Sequence, residues 1–275
     1  MDGSQHDPTL VIGGTGRTGR RVAERLTRLD RPVRIGSRSA GLPFDWEDLS
    51  TWKPALQGCA AAYISYYPDL AAPGAPEAIG AFSELAVAAG TRRLVLLSGR
   101  GEQEAQDSEE ALAASGADWT VVRASWFAQN FDEGYLLDQV RAGQVALPAG
   151  DVGEPFIDVD DIADVAVAAL TRDGHVGEVY EVTGPRLLTF AEAVATIADA
   201  TGRAIGYKRI PADAFAAAMV AHGVPRQTSE LITYLFTTVL DGRNAYVADG
   251  VQRALGRPAR DFADYARDVA PTGVW

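Results

Sequence analysis

A glycine-rich turn lies between a short apolar run and an amphipathic helical pattern near the start of this chain. The apolar run TLVIGG begins at Thr9, and the pattern RTGRRVAERLTRL after the turn places its valine and leucines at helical spacing. Gly13, Gly16 and Gly19 follow one another at every third position. A strand, such a turn and a helix in this order are the context that a dinucleotide-binding loop requires. A plain strand-to-helix turn, with glycines for geometry alone, is the alternative.

Each glycine has its own expected role in such a loop. We expect Gly13 to permit the tight turn, Gly16 to let a pyrophosphate approach the backbone, and Gly19 to let the helix pack close to the strand. The N–H groups at the start of the helix would then face the phosphates. The residues predicted to bind the cofactor here are Gly13, Gly14, Thr15, Gly16, Arg17, Thr18 and Gly19.

The end of the second predicted strand indicates which dinucleotide the loop binds. An NAD site usually carries an acidic residue there, which bonds the ribose 2′-hydroxyl. The stretch VRIGSRSA has no acid and offers Ser37 and Arg38 instead. A guanidinium suits a 2′-phosphate through paired hydrogen bonds, and Arg17 could flank the same group. The sequence therefore predicts NADP(H) as the cofactor; the alternative is that Arg38 is simply an exposed side chain.

Apolar runs and helical patterns alternate through the first half of the chain. Strands are predicted at residues 9–14, 31–37, 42–46, 59–67, 92–98 and 118–124, and helices at 17–29, 51–56, 75–90 and 107–116. This alternation predicts an α/β fold with a doubly wound parallel sheet of the Rossmann type. We expect residues 1–150 to form the NADP(H)-binding domain.

The second half has longer segments and is mostly helical. Residues 155–171 are predicted to form a strand and then a helix, with Asp160 as its N-cap. Thr189 and Glu192 have the spacing of a capping box for a helix that ends at Gly202. Further helices are predicted at residues 211–223 and 226–240. We expect residues 151–275 to be a smaller substrate-binding part that packs on the sheet edge and is not an independent domain.

Charge and composition exclude several functional classes. The 25 basic and 37 acidic residues give a net charge of −12, which disfavours nucleic acid and anionic membranes as partners. The stretch MDGSQHDP is unlike a signal peptide, and no apolar run approaches the length of a membrane span. The single cysteine, Cys59, fits a reducing compartment. We therefore expect a cytoplasmic monomer or homodimer. The scattered residues His6, His175 and His222 suggest no metal site.

The proton-donating pair of ordinary short-chain dehydrogenases is absent. Those enzymes use Tyr-x-x-x-Lys, in which the lysine lowers the pKa of a tyrosine that protonates the carbonyl oxygen. The only lysines here are Lys53 and Lys208, and neither follows a tyrosine by four residues. If the reaction requires a proton, Ser98, Tyr66 and Glu102 are the candidate donors, with water as the alternative.

Five segments in order resemble a known family over nearly the whole chain. The segments VIGGTGRTGRRVAERL, LVLLSGRGE, SGADWTVVRASWFAQNF, PFIDVDDIADVAVAAL and YEVTGPRLLTFAEAVATIA are similar to the NmrA-like group of atypical short-chain dehydrogenases/reductases. The closing segment GRPARDFADYARDVAPTGVW resembles its ergot-alkaloid-biosynthesis-like reductases. The resemblance implies that the glycine loop and Arg38 bind NADP(H).

The resemblance also implies roles for residues after the later strands. Asp45 would contact the adenine, Ser65 and Tyr66 would border the cofactor, and Ser98 would face the nicotinamide end. The segment WFAQNF would line the pocket. Its residues nearest the nicotinamide would be Trp126, Phe127 and Asn130.

These observations favour an NADPH-dependent reductase of a small, electron-poor organic molecule. Iminium ions, quinones, azo dyes and cationic triarylmethanes accept hydride with little acid assistance, and relatives in the resembled family include reductases of these kinds. Ordinary carbonyl reduction, with water or Ser98 as the proton source, stays open. The aromatic residues Tyr66, Tyr67, Trp126 and Phe127 suit a flat or cationic substrate. The other class of function is a non-catalytic NADP(H)-binding redox sensor of the NmrA type, which the missing Tyr-x-x-x-Lys pair fits equally well.

Overall fold

The computed structural model describes residues 7–275. The strands are β1 (Thr9–Ile12), β2 (Val33–Gly36), β3 (Ala61–Ile64), β4 (Arg93–Gly99), β5 (Asp118–Ala124), β6 (Gln144–Leu147), β7 (Glu178–Val182) and β8 (Gly206–Arg209). The helices are α1 (Arg17–Arg28), α2 (Trp52–Leu56), α3 (Ala75–Ala88), α4 (Gln103–Ala114), α5 (Leu137–Arg141), α6 (Val159–Thr171), α7 (Phe190–Thr201), α8 (Ala212–Ala221), α9 (Arg226–Tyr234), α10 (Gly250–Leu255) and α11 (Phe262–Val269).

Six of the strands form one sheet in the order β2-β1-β3-β4-β5-β7. The pairs from β2 through β5 are parallel, which confirms the predicted doubly wound Rossmann-type sheet. The remaining strands, β6 and β8, form a separate parallel pair. The chain places β2 on one side of β1 and β3 on the other, so the winding direction reverses at β1. Ligands of such sheets bind outside the carboxyl ends of the strands at this reversal.

One predicted strand, LPFDW at residues 42–46, does not form. Only an isolated bridge from Asp45 to Asp48 occurs there. The backbone of Asp45 bonds to nearby side chains instead: its N–H donates to Thr51 Oγ1 at 3.0 Å, and its carbonyl accepts from Trp52 Nε1 at 2.8 Å. These local bonds take the place of a sheet partner.

The capping box predicted for α7 is confirmed. Glu192 N–H donates to Thr189 Oγ1 at 3.1 Å, and Glu192 Oε2 accepts from Thr189 N–H at 2.8 Å. The helix ends at Thr201, and Gly202, whose φ is +65°, is its C-cap. The prediction that Asp160 caps α6 is wrong, because that helix already begins at Val159 and Asp160 lies in its first turn. The strand expected just before it is reduced to a bridge between Phe127 and Ile157.

The chain folds into two compact units, and each unit is built from separate stretches of sequence. The first unit consists of the chain up to Ala124 together with Asp160–Glu181 and Gly250–Arg257. The second consists of Ser125–Val159, Val182–Asp249 and Pro258–Trp275. The expected division of the chain at residue 150 stays a prediction.

Each unit has its own apolar core. In the first unit, strand residues such as Leu10 and Leu94 pack with Phe82 of α3. In the second unit the core is rich in aromatic rings, and the centroid of Phe190 lies 5.0 Å from that of Phe156 in an edge-to-face contact. Burial of these large side chains supplies much of the stabilisation of each unit.

Candidate functional site

The glycine loop has the close backbone packing that its spacing predicted. Gly13 has a φ of +69°, which favours glycine, and its N–H donates to the Gly36 carbonyl at 2.9 Å. Gly16 N–H donates to the Gly13 carbonyl at 2.8 Å and so closes the turn. A Cβ at Gly19 would lie 2.2 Å from the Gly13 carbonyl oxygen. Only glycine at position 19 therefore lets α1 start this close to β1.

The N-terminus of α1 is left open to an anion. Gly16 is its N-cap, no side chain caps it, and its first turn contains no acidic residue. Thr15 and Gly16 are exposed. A helix start with N–H groups unbonded within the helix and a partial positive charge suits the pyrophosphate of a dinucleotide. The loop therefore fits the predicted cofactor.

The end of β2 presents an exposed cation beside an aromatic ring. The Arg38 guanidinium carbon lies 5.2 Å from the centroid of the Tyr67 ring, in the geometry of a cation–π contact. Arg38 is exposed, and Tyr67 is 67% exposed. Ser37 is half-buried, and its carbonyl accepts from Phe44 N–H at 3.0 Å. Tyr67, predicted for the substrate pocket, thus contacts the residue predicted to bind the 2′-phosphate.

Ser65 lies directly against the glycine loop. Its Cβ is 3.3 Å from the position that a Cβ on Gly13 would take. Its carbonyl accepts from Trp46 Nε1 at 3.3 Å, and the rings of Trp46 and Tyr66 are 4.9 Å apart. The carboxylate of Asp45 accepts from Glu47 N–H at 3.1 Å. The turn after β3 and the loop after β2 thus lie at the same edge of the sheet.

The candidate donor Tyr66 is a weaker acid than an ordinary tyrosine. Burial raises the pKa of its phenol, and the negative charges of Glu47 and Glu77 raise it too. Ordinary short-chain enzymes do the opposite, since their lysine lowers the pKa of the tyrosine. The environment of Tyr66 therefore lacks the feature that makes a tyrosine a proton donor at neutral pH.

The candidate donor Ser98, at the end of β4, is held by a buried glutamate. Ser98 is 4% exposed, and its hydroxyl donates to Glu109 Oε1 at 2.5 Å. Arg123 of β5 donates to Glu109 through Nε at 2.9 Å and also through Nη2. Glu109 already accepts hydrogen bonds from three donors, two of them on a guanidinium. It is therefore a poor base for taking the proton of the Ser98 hydroxyl.

Arg123 continues this network to a second acid. Its Nη1 lies 3.1 Å from Glu181 Oε1, and Glu181 Oε2 lies 3.5 Å from Arg100 Nη2. The hydrogen bond that Arg123 donates to Glu109 raises the pKa of the Arg123 guanidinium, against the effect of burial. Ser98, Glu109 and Arg123 therefore form a fixed, charge-paired arrangement beneath the carboxyl ends of β4 and β5.

The candidate donor Glu102 has an acidic neighbour. Glu102 is 8% exposed and precedes α4, yet its side chain does not cap that helix. It hydrogen-bonds side chain to side chain with Asp69, which follows β3. Burial first, and then the charge and hydrogen bond of Asp69, raise the pKa of Glu102 to about 9. Burial also raises the pKa of Asp69.

The residues of WFAQNF belong to the second unit. The half-buried ring of Trp126 lies 4.7 Å from Phe236 and 5.4 Å from Phe190, both in that unit's core. Phe127 is half-buried, and Asn130 is 8% exposed in a short 3₁₀ turn. An aromatic pocket that combines these residues with Tyr66 stays a prediction.

Residues 7–275 contain no group of three or more histidine, cysteine or acidic side chains arranged to hold a metal ion. His175 Nδ1 lies 2.8 Å from the Tyr180 hydroxyl, and His222 Nδ1 lies 2.7 Å from the Ala218 carbonyl oxygen. His6 and most of the N-terminal stretch lie outside the described residues. Within the described range, no helix combines the length and apolar character needed to cross a membrane.

Glu109, Arg123 and Asp69 were not singled out by the sequence. Glu109 lies on the buried stripe of α4 with Ala105 and Leu112, and Arg123 interrupts the apolar strand DWTVVRA. A charge within an apolar pattern is a signal of a buried partner. Asp69 gives no such signal, because it stands in a loop where acidic residues are ordinary.

No protein-family model matches the chain. It is 33% identical to the (4-alkanoyl-5-oxo-2,5-dihydrofuran-3-yl)methyl phosphate reductase of Streptomyces griseus, with 95% of the chain and 97% of the relative covered. It is 30% identical to the NAD(P)H azoreductase of Xenophilus azovorans, with 94% and 96% covered. It is 28% identical to the agroclavine dehydrogenase of Claviceps fusiformis, again with 94% and 96% covered.

The solved structures agree on the fold. The crystal structure of NmrA, a negative transcriptional regulator, is 17% identical and superposes with a TM-score of 0.71 over 98% of this chain and 97% of that one. The three relatives match in sequence over 94–95% of the chain, which agrees with the resemblance of the five segments over nearly the whole chain. The chain therefore belongs to the NmrA-like family of atypical short-chain dehydrogenases/reductases, and within it the chain is an NAD(P)H-dependent oxidoreductase.

Proposed function

We propose that the chain is an NADPH-dependent reductase that delivers hydride to a small, electron-poor organic acceptor without a Tyr-x-x-x-Lys pair. The acceptor classes are iminium ions, quinones, dyes and carbonyl compounds. The observation that carries the proposal is the open start of α1 behind the glycine loop. There Gly16 leaves the helix uncapped, and Gly19 brings it within van der Waals distance of Gly13.

Different residues at the sheet edge are proposed to bind different parts of the cofactor. The glycine loop receives the pyrophosphate, Ser37 and Arg38 receive the ribose 2′-phosphate, and Asp45 and Ser65 border the adenine side and the loop. When bound, NADPH supplies the hydride. The protein orients the acceptor and excludes water; Trp126, Phe127 and Asn130 are proposed for the acceptor side, with Ser98 near the nicotinamide.

The nature of the named relatives supports the choice of acceptors. The relative from Xenophilus azovorans is an azoreductase, and the relative from Claviceps fusiformis is a dehydrogenase of agroclavine. An azo bond is electron-poor and takes up hydride readily. A chain without the usual tyrosine–lysine pair suits acceptors that need little acid assistance.

The activity is tested by mixing the purified protein with NADPH and a panel of acceptors. The panel contains a quinone, an aldehyde, an azo dye, an iminium ion and a cationic triarylmethane dye, and cofactor absorbance is followed. We expect acceptor-dependent oxidation with at least one class. Tight NADPH binding with no oxidation across the panel would contradict the proposal and favour the redox-sensor alternative.

The preference for NADPH over NADH is tested by Arg38→Asp. We expect NADPH affinity to fall about 30-fold, from the loss of about 2 kcal/mol of charge-assisted hydrogen bonding, while NADH affinity changes little. Arg28→Asp, the same charge change at an exposed residue near the end of α1, is the matched control. Equal losses for the two cofactors, measured by fluorescence titration, would remove Arg38 from the 2′-phosphate site.

A further inference from the structure

A buried carboxyl group, Glu102, and a half-buried one, Asp69, lie after the ends of neighbouring strands. Asp69 follows β3, and Glu102 follows β4, which pairs with β3 in parallel. The carboxyl ends of these strands form the edge at which ligands of doubly wound sheets bind. The glycine loop follows β1, the other neighbour of β3. The two acids therefore stand at the cofactor edge by topology alone.

The Glu102 carboxyl occupies space that only a glycine leaves. A Cβ on Gly99 would lie 2.5 Å from Glu102 Oε1 and 2.8 Å from the carboxyl carbon. The side chain is thus folded back over the end of β4, although the position before α4 would suit a helix cap. It meets Asp69 there rather than the first turn of α4.

The surroundings of Glu102 favour a proton on the pair. The charged groups that act on Glu102 are Asp69 from the loop after β3 and Glu104 from α4, and both are acidic. Glu102 Oε2 is buried without a hydrogen-bond partner among the described residues. An unbonded oxygen is far less costly on a neutral carboxylic acid than on a buried carboxylate. Two carboxyls that share a hydrogen bond likewise need one proton between them.

We propose that the Asp69–Glu102 pair is the proton source for acceptors that become anions when they take up hydride. This rests on the proposed reductase function and assigns the proton that the absent Tyr-x-x-x-Lys pair would supply. Glu102 is the catalytic acid, and Asp69 is a positioning residue that keeps Glu102 protonated. Ser98 is unsuited to this role because its hydrogen is committed to Glu109.

The proton balance divides acceptors into two groups. A quinone, carbonyl or azo acceptor gains a negative charge with the hydride; the O–H bond of Glu102 breaks, and an O–H or N–H bond forms on the acceptor. The acid pair then holds two negative charges until water returns a proton. An iminium ion or triarylmethane cation becomes neutral on hydride uptake and needs no proton. Only the first group should depend on Glu102.

The test compares both groups in Glu102→Gln, a near-isosteric variant that has no acidic proton. We expect kcat for a quinone or aldehyde to fall about 100-fold, which is the usual contribution of a general acid, and kcat for a cationic triarylmethane dye to stay within about twofold. Glu110→Gln, an exposed position on α4, is the matched control and should alter neither. Equal effects on the two acceptor groups, or none on either, would overturn the proposal.

A second variant tests the geometry while keeping the acid. Gly99→Ala places a methyl group where the Glu102 carboxyl lies, and the flexible carboxyl should move away from Asp69. We expect a fall in kcat that is again confined to neutral acceptors. Unchanged turnover of neutral acceptors in a folded Gly99→Ala protein would contradict the assigned position of the acid.

A measurement without turnover completes the test. Infrared spectra of the cofactor-free protein at about pH 7.5, below the raised pKa of Glu102, should contain the C=O stretch of a protonated carboxyl. The band should be absent in Glu102→Gln and present in Glu110→Gln. Lack of the band in wild type would overturn the proposal. Failure of wild type to reduce the cationic dye as well as the neutral acceptors would instead overturn the reductase function itself, whatever the spectrum contains.

Discussion

Two buried glutamates, Glu102 and Glu109, have opposite surroundings. Glu102 directly precedes α4, and Glu109 lies in the middle of that helix. Glu109 faces β5, where it accepts from Ser98 and from two nitrogens of Arg123. Glu102, two turns earlier, faces Asp69 and has one oxygen without a partner among the described residues. Both are nearly inaccessible to solvent, with 7% and 8% of their surface exposed.

The difference teaches that the partner, rather than burial, decides what a buried acid can do. Burial in general disfavours the charged form of a carboxyl group. A guanidinium with two hydrogen bonds offsets that cost and fixes Glu109 as a structural carboxylate. A second acid adds to the cost and retains a proton on Glu102. Glu109 of α4 therefore holds Ser98 in place, whereas Glu102, just before α4, holds a proton that it can donate.

The largest expected effect comes from removing the cation of Glu109. Arg123→Met should lower the free energy of unfolding by about 3 kcal/mol, because the buried Glu109 and the half-buried Glu181 both lose the guanidinium of Arg123. Urea unfolding followed by circular dichroism measures it. Arg123→Lys keeps the charge but not the paired geometry, so it should lose less. A loss below about 1 kcal/mol in Arg123→Met would show that Glu109 and Glu181 do not need a cation for stability. The contrast between Glu109 and Glu102 would then fail.

Sequence patterns predict those features of this fold that depend on residues close together in the chain. The strand DWTVVRA and the capping box of Thr189 and Glu192 depend on residues a few positions apart, and both form as predicted. The glycine spacing likewise predicts the close approach of Gly19 to Gly13. Each of these patterns is local, so the sequence displays every group that takes part.

What the sequence could not predict depends on partners that are distant along the chain. Ser98, Tyr66 and Glu102 were equivalent candidates for a proton donor until their neighbours were known. Burial and the neighbouring acid Asp69 together raise the pKa of Glu102. Asp69 stands in an earlier loop, and no periodicity links it to Glu102. The failed strand LPFDW has the same cause at shorter range, since the side chains of Thr51 and Trp52 take the backbone bonds of Asp45.

An intermediate effect is expected in the pH dependence of stability. In the folded protein the pKa of Glu102 is raised to about 9, whereas in the unfolded chain it is near 4.5. Between these values the folded state binds more protons, so stability should fall as pH rises. From about pH 6 to about pH 8 we expect wild type to lose about 2.5 kcal/mol more than Glu102→Gln, by urea unfolding at each pH. Glu110→Gln should retain the wild-type slope.

Asp69→Asn sharpens the same measurement. It removes the neighbouring charge that helps to raise the pKa of Glu102, while burial remains. The fall in stability over the same pH range should therefore become shallower without vanishing. If the wild-type slope is already as flat as that of Glu102→Gln, the contrast between the two glutamates disappears.

The smallest expected effect is on the hydrogen bond that joins Ser98 to Glu109. Ser98→Ala removes one of three donors from a buried carboxylate and should lower the free energy of unfolding by about 1.5 kcal/mol. Ser108→Ala is the matched control, since that buried hydroxyl donates at 2.9 Å to the Glu104 carbonyl within the same helix, and we expect a loss of about 0.5 kcal/mol. Because both variants leave Glu102 and Asp69 in place, neither should alter the slope of stability against pH. A changed slope in Ser98→Ala, measured in the same urea series, would place the titrating proton on Glu109 and reverse the roles of the two acids.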